Sequence, residues 1–194
     1  MDRVKTSPVR IATLTLSDTR TTEDDEGGRL LGDLLRAAGF SVASHHIVRE
    51  EPDALRDLVT ELCDIGAVDA IVLTGGTGIA PRDRTIEALE PMFQKRLDGF
   101  GEAFRRLSWD QIGPNAILSR ATAGVIGGRV VIALPGSPKA VRLAVEQLIG
   151  PTLDHAVGLA SGRGGHHHHG RGGHHAQNEG GAPASAEEGK EKTG

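Results

Sequence analysis

Three short stretches carry residue types suited to holding phosphate groups. Ser17–Asp18–Thr19 follows VRIATLTL, Gly75–Gly76–Thr77–Gly78 follows DAIVLT, and Pro135–Gly136–Ser137 follows RVVIAL. Consecutive glycines let neighbouring backbone N–H groups point into one concavity, and Thr74 and Thr77 can add hydroxyls. The TGGTG loop is not a Walker loop, because no Gly-Lys-Ser/Thr follows, and it lacks the glycine spacing of the dinucleotide fingerprint. By itself it reads equally as an oxyanion cradle or as a tight turn. Asp83 follows closely, between Arg82 and Arg84. A carboxylate beside a phosphate loop is badly placed unless a cation lies between them. Mg²⁺ takes one or two carboxylates together with phosphate oxygens, so Asp83 is a candidate Mg²⁺ ligand, and the flanking arginines could steady anionic groups. The other reading of Asp83 is an N-cap for a helix starting at Thr85. The PGSPK stretch ending at Lys139 is either a helix N-terminus that favours an anion or a plain strand-to-helix turn. Asp24 and Asp25, just before Gly27–Gly28, are helix-dipole partners or a lip of the same crevice.

Elements must bring these loops together. Residues 9–16, 41–48 and 69–74 read as strands, the last nearly all apolar, as expected of a strand covered on both faces. Leu30, Leu31, Leu34, Leu35 and Ala38 recur at helical spacing and end at Gly39, a C-terminal cap. Pro52 can open a second helix, along which Leu55, Leu58, Val59 and Leu62 form an apolar stripe. A helical region is expected from Thr85 to Ser108, interrupted around Gly99. Gly127–Gly128 reads as a two-residue hairpin turn between Val125–Ile126 and Arg129–Leu134. Val141, Ala144, Val145, Leu148 and Ile149 form the last helical stripe. This alternation predicts an α/β fold, a three-layer sandwich around a mostly parallel central sheet, with the hairpin adding an antiparallel edge. Ligands of such sheets bind beyond the carboxyl ends of the strands. If the strands are parallel neighbours, the three loops gather there.

The 194 residues suffice for one domain with chain to spare. We divide it into an arm at 1–8, a globular domain at 9–160, and a Gly/His-rich tail at 161–194 that carries too little apolar surface to order itself. The net charge of −4 gives no case for nucleic acid or anionic membrane as partner. The lone Cys63 excludes a disulfide framework, and no run reaches the ~18 apolar residues of a membrane span. Cytoplasmic localisation is the default. His166, His167, His168 and His169 could bind Ni²⁺, Zn²⁺ or Cu²⁺ opportunistically, or the tail is a solvated linker. His45 and His46 lie on a strand and read as structural.

Seven stretches occur in one order: SDTR, EDDEGG, TGGTG, PRDRT, GFGEAFR, AILSR and LPGSPKA. Together they make residues 8–159 resemble the molybdenum-cofactor biosynthesis family MoaB/MogA, which is related to the gephyrin G domain; SDTR, EDD and LSW place the likeness in the MoaB branch. The resemblance implies trimers or hexamers, a pocket for molybdopterin, and partners elsewhere in the same pathway. It also implies Mg²⁺ and ATP, with AMP transferred to the terminal phosphate of molybdopterin. By the same resemblance Gly75, Gly76, Thr77 and Gly78 form the phosphate loop, and Asp83 is the essential acid. Ser17 and Asp18 match the first-strand loop, while Ser119, Pro135, Gly136, Ser137 and Lys139 line the pterin side. Asp25, Gly28, Thr74 and Arg82 join the candidate binding residues. The chain departs from the pattern twice. Glu50 stands where active members have an aspartate after the second strand, and Gly27–Gly28 stands where the family often has Ser-Gly.

Overall fold

The structure is a computed structural model describing residues 8–162. Most of the expected arm and tail, including His166 to His169, lies outside the described residues. β3 (Ala70–Thr74) is buried along its whole length, as a strand covered on both faces must be. It pairs in parallel with β1 (Arg10–Leu16) and with β6 (Arg129–Leu134). β2 (Ser41–Val48) lies parallel outside β1. β5 (Thr122–Ile126) runs antiparallel to β6, and the short β4 (Lys95–Arg96) antiparallel to β5, giving the order β2-β1-β3-β6-β5-β4.

Side chains alternate between the two faces of the sheet. Ile11, Val72 and Ile132 pack against Leu31 and Leu35 of α1 (Glu26–Ala37), Phe104 of α4 (Asp98–Ile112), Val141 of α5 (Pro138–Ala144) and Leu153 of α6 (Gly150–Ala160). Leu14, Ile71 and Leu73 pack against Leu55 and Val59 of α2 (Pro52–Ile65) and Leu89 of α3 (Thr85–Leu89). The result is the expected three-layer α/β sandwich. α5 passes into α6 through a wide π-helical turn at Val145–Ile149, just before Pro151, which has no N–H to offer a regular helix.

Two expectations are corrected. The helical region at 85–108 is not broken at Gly99, which lies in the first turn of α4. The interruption lies at 93–97, after α3 has passed into a 3₁₀ turn at Glu90–Met92. There the N–H groups of Gln94 and Leu97 turn to the carbonyls of Val125 and Ala123, at 2.9 and 2.8 Å, making β4 an edge strand. The hairpin therefore does not form the edge, because β5 is covered by β4 and β6 lies inside the sheet. Its turn is as read: Gly127 and Gly128 have φ of 56° and 74°, the pair of positive values that a two-residue turn of this hand requires.

Candidate functional site

Because β1, β3 and β6 are parallel neighbours, their following loops meet at one edge of the sheet. Two cavities open there and share Gly75 and Gly136 as a common rim. The polar one, of about 270 Å³, brings Ser17, Asp18, Glu50, Thr74 and Arg82 together. The other, of about 440 Å³, holds Gly76, Thr77, Gly78, Asp83, Ser119 and Lys139, with Pro135 and Ser137. Its far wall is apolar, formed by Phe104, Ile112, Leu118 and Leu143. That wall was not anticipated, although Phe104, Ser108 and Ile112 recur at the four-residue spacing of one helix face.

The glycine loop is built by close approach. Gly75 has φ +106°, and a Cβ on it would stand 2.6 Å from the Leu16 carbonyl. Its N–H donates to Leu134 O at 3.1 Å. The Thr74 hydroxyl is used as a tie, donating to Pro135 O at 3.1 Å and so joining the second loop to the third. Among the described residues, the N–H groups of Gly76, Thr77 and Gly78 carry no hydrogen bond. The anion cradle is therefore narrower than expected, with three donors at 76–78.

Asp83 does not cap the following helix, whose N-cap is Arg84 with no side-chain bond. Instead Asp83 Oδ2 accepts the Ala80 N–H at 2.8 Å and closes its own turn, leaving the second oxygen without a hydrogen bond among the described residues. Arg120 fastens the loop from outside. It donates to Thr77 O at 3.3 Å and to Asp83 O at 2.9 Å, and it pairs with Glu87. Its hydrogen bond holds the Glu87 carboxyl below the usual range, against partial burial. One side chain thus grips both ends of the segment that carries the acid, a role that the SerArg pair at 119–120 does not announce in the sequence. Arg120→Gln removes the pairing with Glu87 and part of this grip. We expect amide hydrogen exchange at 78–83 to be faster by roughly tenfold; unchanged exchange would show that the loop holds itself.

The first loop is tied inwardly and to β2. Ser17 Oγ accepts the N–H groups of Thr19 and Arg20, at 3.3 and 3.2 Å. Asp18 Oδ1 accepts the Glu50 N–H at 3.0 Å, which sets Glu50 beside the loop. Burial raises the Glu50 pKa, Asp18 and Asp83 add to the rise by repulsion, and Arg82 opposes it. Asp18 and Glu50 thus line the polar cavity, and Asp83 lines its neighbour across the rim. No group of three or more His, Cys, Asp or Glu among the described residues could hold a metal by itself. One or two carboxylates completed by phosphate oxygens is the pattern Mg²⁺ adopts with phosphorylated ligands, so these residues fit that ion.

Two predicted binding residues lie elsewhere. Asp25 is not a lip of the crevice: its side chain is 1% exposed. It N-caps α1 by accepting the Gly28 N–H at 2.9 Å. Gly28 packs behind it, where a Cβ would stand 2.1 Å from Asp25 Oδ2. On the third loop, Ser137 caps α5 through its own Oγ, which accepts the Ala140 N–H at 3.2 Å. Arg20, missed as a site residue, lines the polar cavity while pairing with Asp25. His46 bonds to Ser44 Oγ at 2.9 Å, and His45 to Asp25 at the same distance. No helix of the described residues is long and apolar enough to cross a membrane.

Fold and site together define a three-layer α/β protein with paired cavities, one polar and one partly apolar, at the carboxyl edge of a mostly parallel sheet. The sequence profile of the family described as "Probable molybdopterin binding domain" matches residues 12–155, and the chain belongs to that family. Molybdenum cofactor biosynthesis protein B of Bacillus subtilis (strain 168) is 51% identical over 150 residues, covering 77% of this chain and 88% of the relative. A crystal structure of a molybdenum cofactor biosynthesis protein B superposes with a TM-score of 0.77 at 44% identity, covering 79% of this chain and 96% of the other. The tungsten cofactor synthesizing protein MoaB from Pyrococcus furiosus superposes with a TM-score of 0.69 at 35% identity, covering 80% and 99%.

Proposed function

We propose that the chain acts in molybdenum cofactor biosynthesis, binding molybdopterin in the larger cavity and a nucleotide in the polar one, and transferring AMP from ATP to the terminal phosphate of molybdopterin. The observation that carries this reading is the shared rim at Gly75 and Gly136: a partly apolar cavity suited to a ring system meets a polar one among charged groups. Both substrates are polyanions, so the protein's work is positioning and charge neutralisation.

In the transfer, an oxygen of the molybdopterin phosphate bonds to the α-phosphorus of ATP. The bond from that phosphorus to the bridging oxygen breaks, and pyrophosphate leaves with the electron pair. The N–H groups of Gly76, Thr77 and Gly78, which follow the rim residue Gly75 into the larger cavity, hold phosphate oxygens where the two substrates meet. Lys139 supplies positive charge on the pterin side, and Arg82 does so on the nucleotide side. Asp83 and Glu50 would hold Mg²⁺, which neutralises phosphate charge when bound. The apolar wall of Phe104, Ile112, Leu118 and Leu143 excludes water from one side of the pterin. No nucleophilic side chain is required.

The competing reading is a molybdopterin-binding or scaffold protein without turnover, which Glu50 in place of aspartate favours. Mixing the protein with one equivalent of molybdopterin and excess MgATP discriminates the two. We expect one pyrophosphate released for each molybdopterin consumed. Retention of bound molybdopterin with no pyrophosphate above the protein-free control would establish the scaffold.

A further inference from the structure

We propose that Arg20 grips a phosphate of the nucleotide, and that Asp25 and His45 hold Arg20 ready and compensate its charge when it moves. The inference rests on the nucleotide reading above. Arg20 lines the polar cavity with its side chain 42% exposed, yet its Nη1 is anchored 3.2 Å from Oδ1 of the buried Asp25. Gly27 leaves the room for this arrangement, since a Cβ there would stand 3.0 Å from Nη1. A buried carboxylate needs partners to stay ionised. Asp25 has the Gly28 N–H at 2.9 Å and His45 Nε2 at 2.9 Å besides Arg20. The buried Thr15 hydroxyl adds to their effect on the carboxylate, although it makes no hydrogen bond of ordinary geometry.

The far side of His45 is what makes compensation possible. Its Nδ1 lies 2.9 Å from Thr13 Oγ1, and the same hydroxyl lies 3.3 Å from Ser44 O. A hydroxyl has one proton to direct. Aimed at Nδ1, that proton leaves His45 a neutral imidazole donating from Nε2 to Asp25. Aimed at the Ser44 carbonyl, it lets Nδ1 carry a proton of its own and donate to Thr13. His45 has the partners to carry a proton on each ring nitrogen while its bonds to Asp25 and Thr13 persist. Among the described residues, the charged groups facing this cluster are Asp25 from the start of α1 and Arg20 from the first loop, while β1 contributes the Thr13 and Thr15 hydroxyls. On β2, His46 is turned to Ser44, and on α1, Arg29 is turned to the Glu23 carbonyl and Arg36 to Asp33.

When Arg20 turns from Asp25 to a phosphate, the buried carboxylate loses its cation, and a proton on His45 restores the balance. Nucleotide binding is thereby coupled to proton uptake, so affinity rises as pH falls. Calorimetric titration with the Mg²⁺ complex of a non-hydrolysable ATP analogue, at one pH in two buffers of different ionisation enthalpy, measures that uptake. We expect the wild-type protein to take up more protons than His45→Gln, whose amide still donates towards Asp25 but cannot titrate. Arg20→Gln should bind the analogue roughly tenfold more weakly and show no excess uptake. The analogue's own ionisation is common to all variants and cancels. If His45→Gln does not fold, by thermal unfolding, Thr13→Val removes the turning hydroxyl and makes the same comparison. Binding with equal uptake in wild-type and variant proteins overturns the proposal and leaves the nucleotide reading intact. Absence of analogue binding by the wild-type protein overturns both.

Discussion

Asp83→Asn should lower AMP transfer by a factor on the order of 100 to 1,000 while leaving molybdopterin affinity within a few fold. The substitution isolates charge from architecture. Asp83 Oδ2 accepts the Ala80 N–H, and an asparagine carbonyl oxygen can accept the same bond, so the turn at 80–83 survives. Arg120 grips this segment through main-chain carbonyls, which the substitution does not touch. What disappears is the negative charge beside Glu50 and the phosphate cradle. Single-turnover kinetics with a parallel molybdopterin titration check the split. Full turnover in the variant would remove Asp83 from the chemistry, and joint loss of binding and turnover would make its role structural.

Gly76→Val should abolish nucleotide binding and destabilise the fold by about 2–4 kcal/mol. Gly76 has φ +62°, which a β-branched residue resists, and a Cβ there would stand 2.3 Å from Thr85 Oγ1. Thr85 cannot yield freely: it is 4% exposed, and its hydroxyl donates to Gly75 O at 3.0 Å. Its N–H also donates to Gly76 O at 3.0 Å. The collision therefore lands on the groups that shape the cradle. Thermal unfolding and titration with the Mg²⁺ complex of an ATP analogue test the two effects separately, and unchanged nucleotide binding would count against the cradle.

Much of the frame is legible in the residues themselves. AIVLT could be read as a doubly covered strand because a parallel sheet leaves no polar face, and the Gly127–Gly128 turn because few residues accept two positive φ values in succession. Convergence of the three loops followed from the parallel order, which is now seen in β1, β3 and β6. Segment 93–97 was misread because β4 consists of two charged, exposed residues, whose pairing partner lies far along the chain. Asp25 was misplaced for a different reason. An acid ahead of a glycine-rich helix start looks the same whether it faces a ligand or caps the helix from inside, and only the tertiary position of His45 decides. Arg120 escaped notice because its partners Thr77, Asp83 and Glu87 are brought to it by the fold, not by spacing.

The central claim is that an adenylyl group passes between two cavities that do more than adjoin. ATP labelled at its α-phosphate, incubated with stoichiometric protein, Mg²⁺ and molybdopterin, tests that most directly. The predicted result is label on the pterin, with pyrophosphate released unlabelled and the transfer lost in Asp83→Asn. Label that stays on ATP while molybdopterin remains bound to the protein would contradict it.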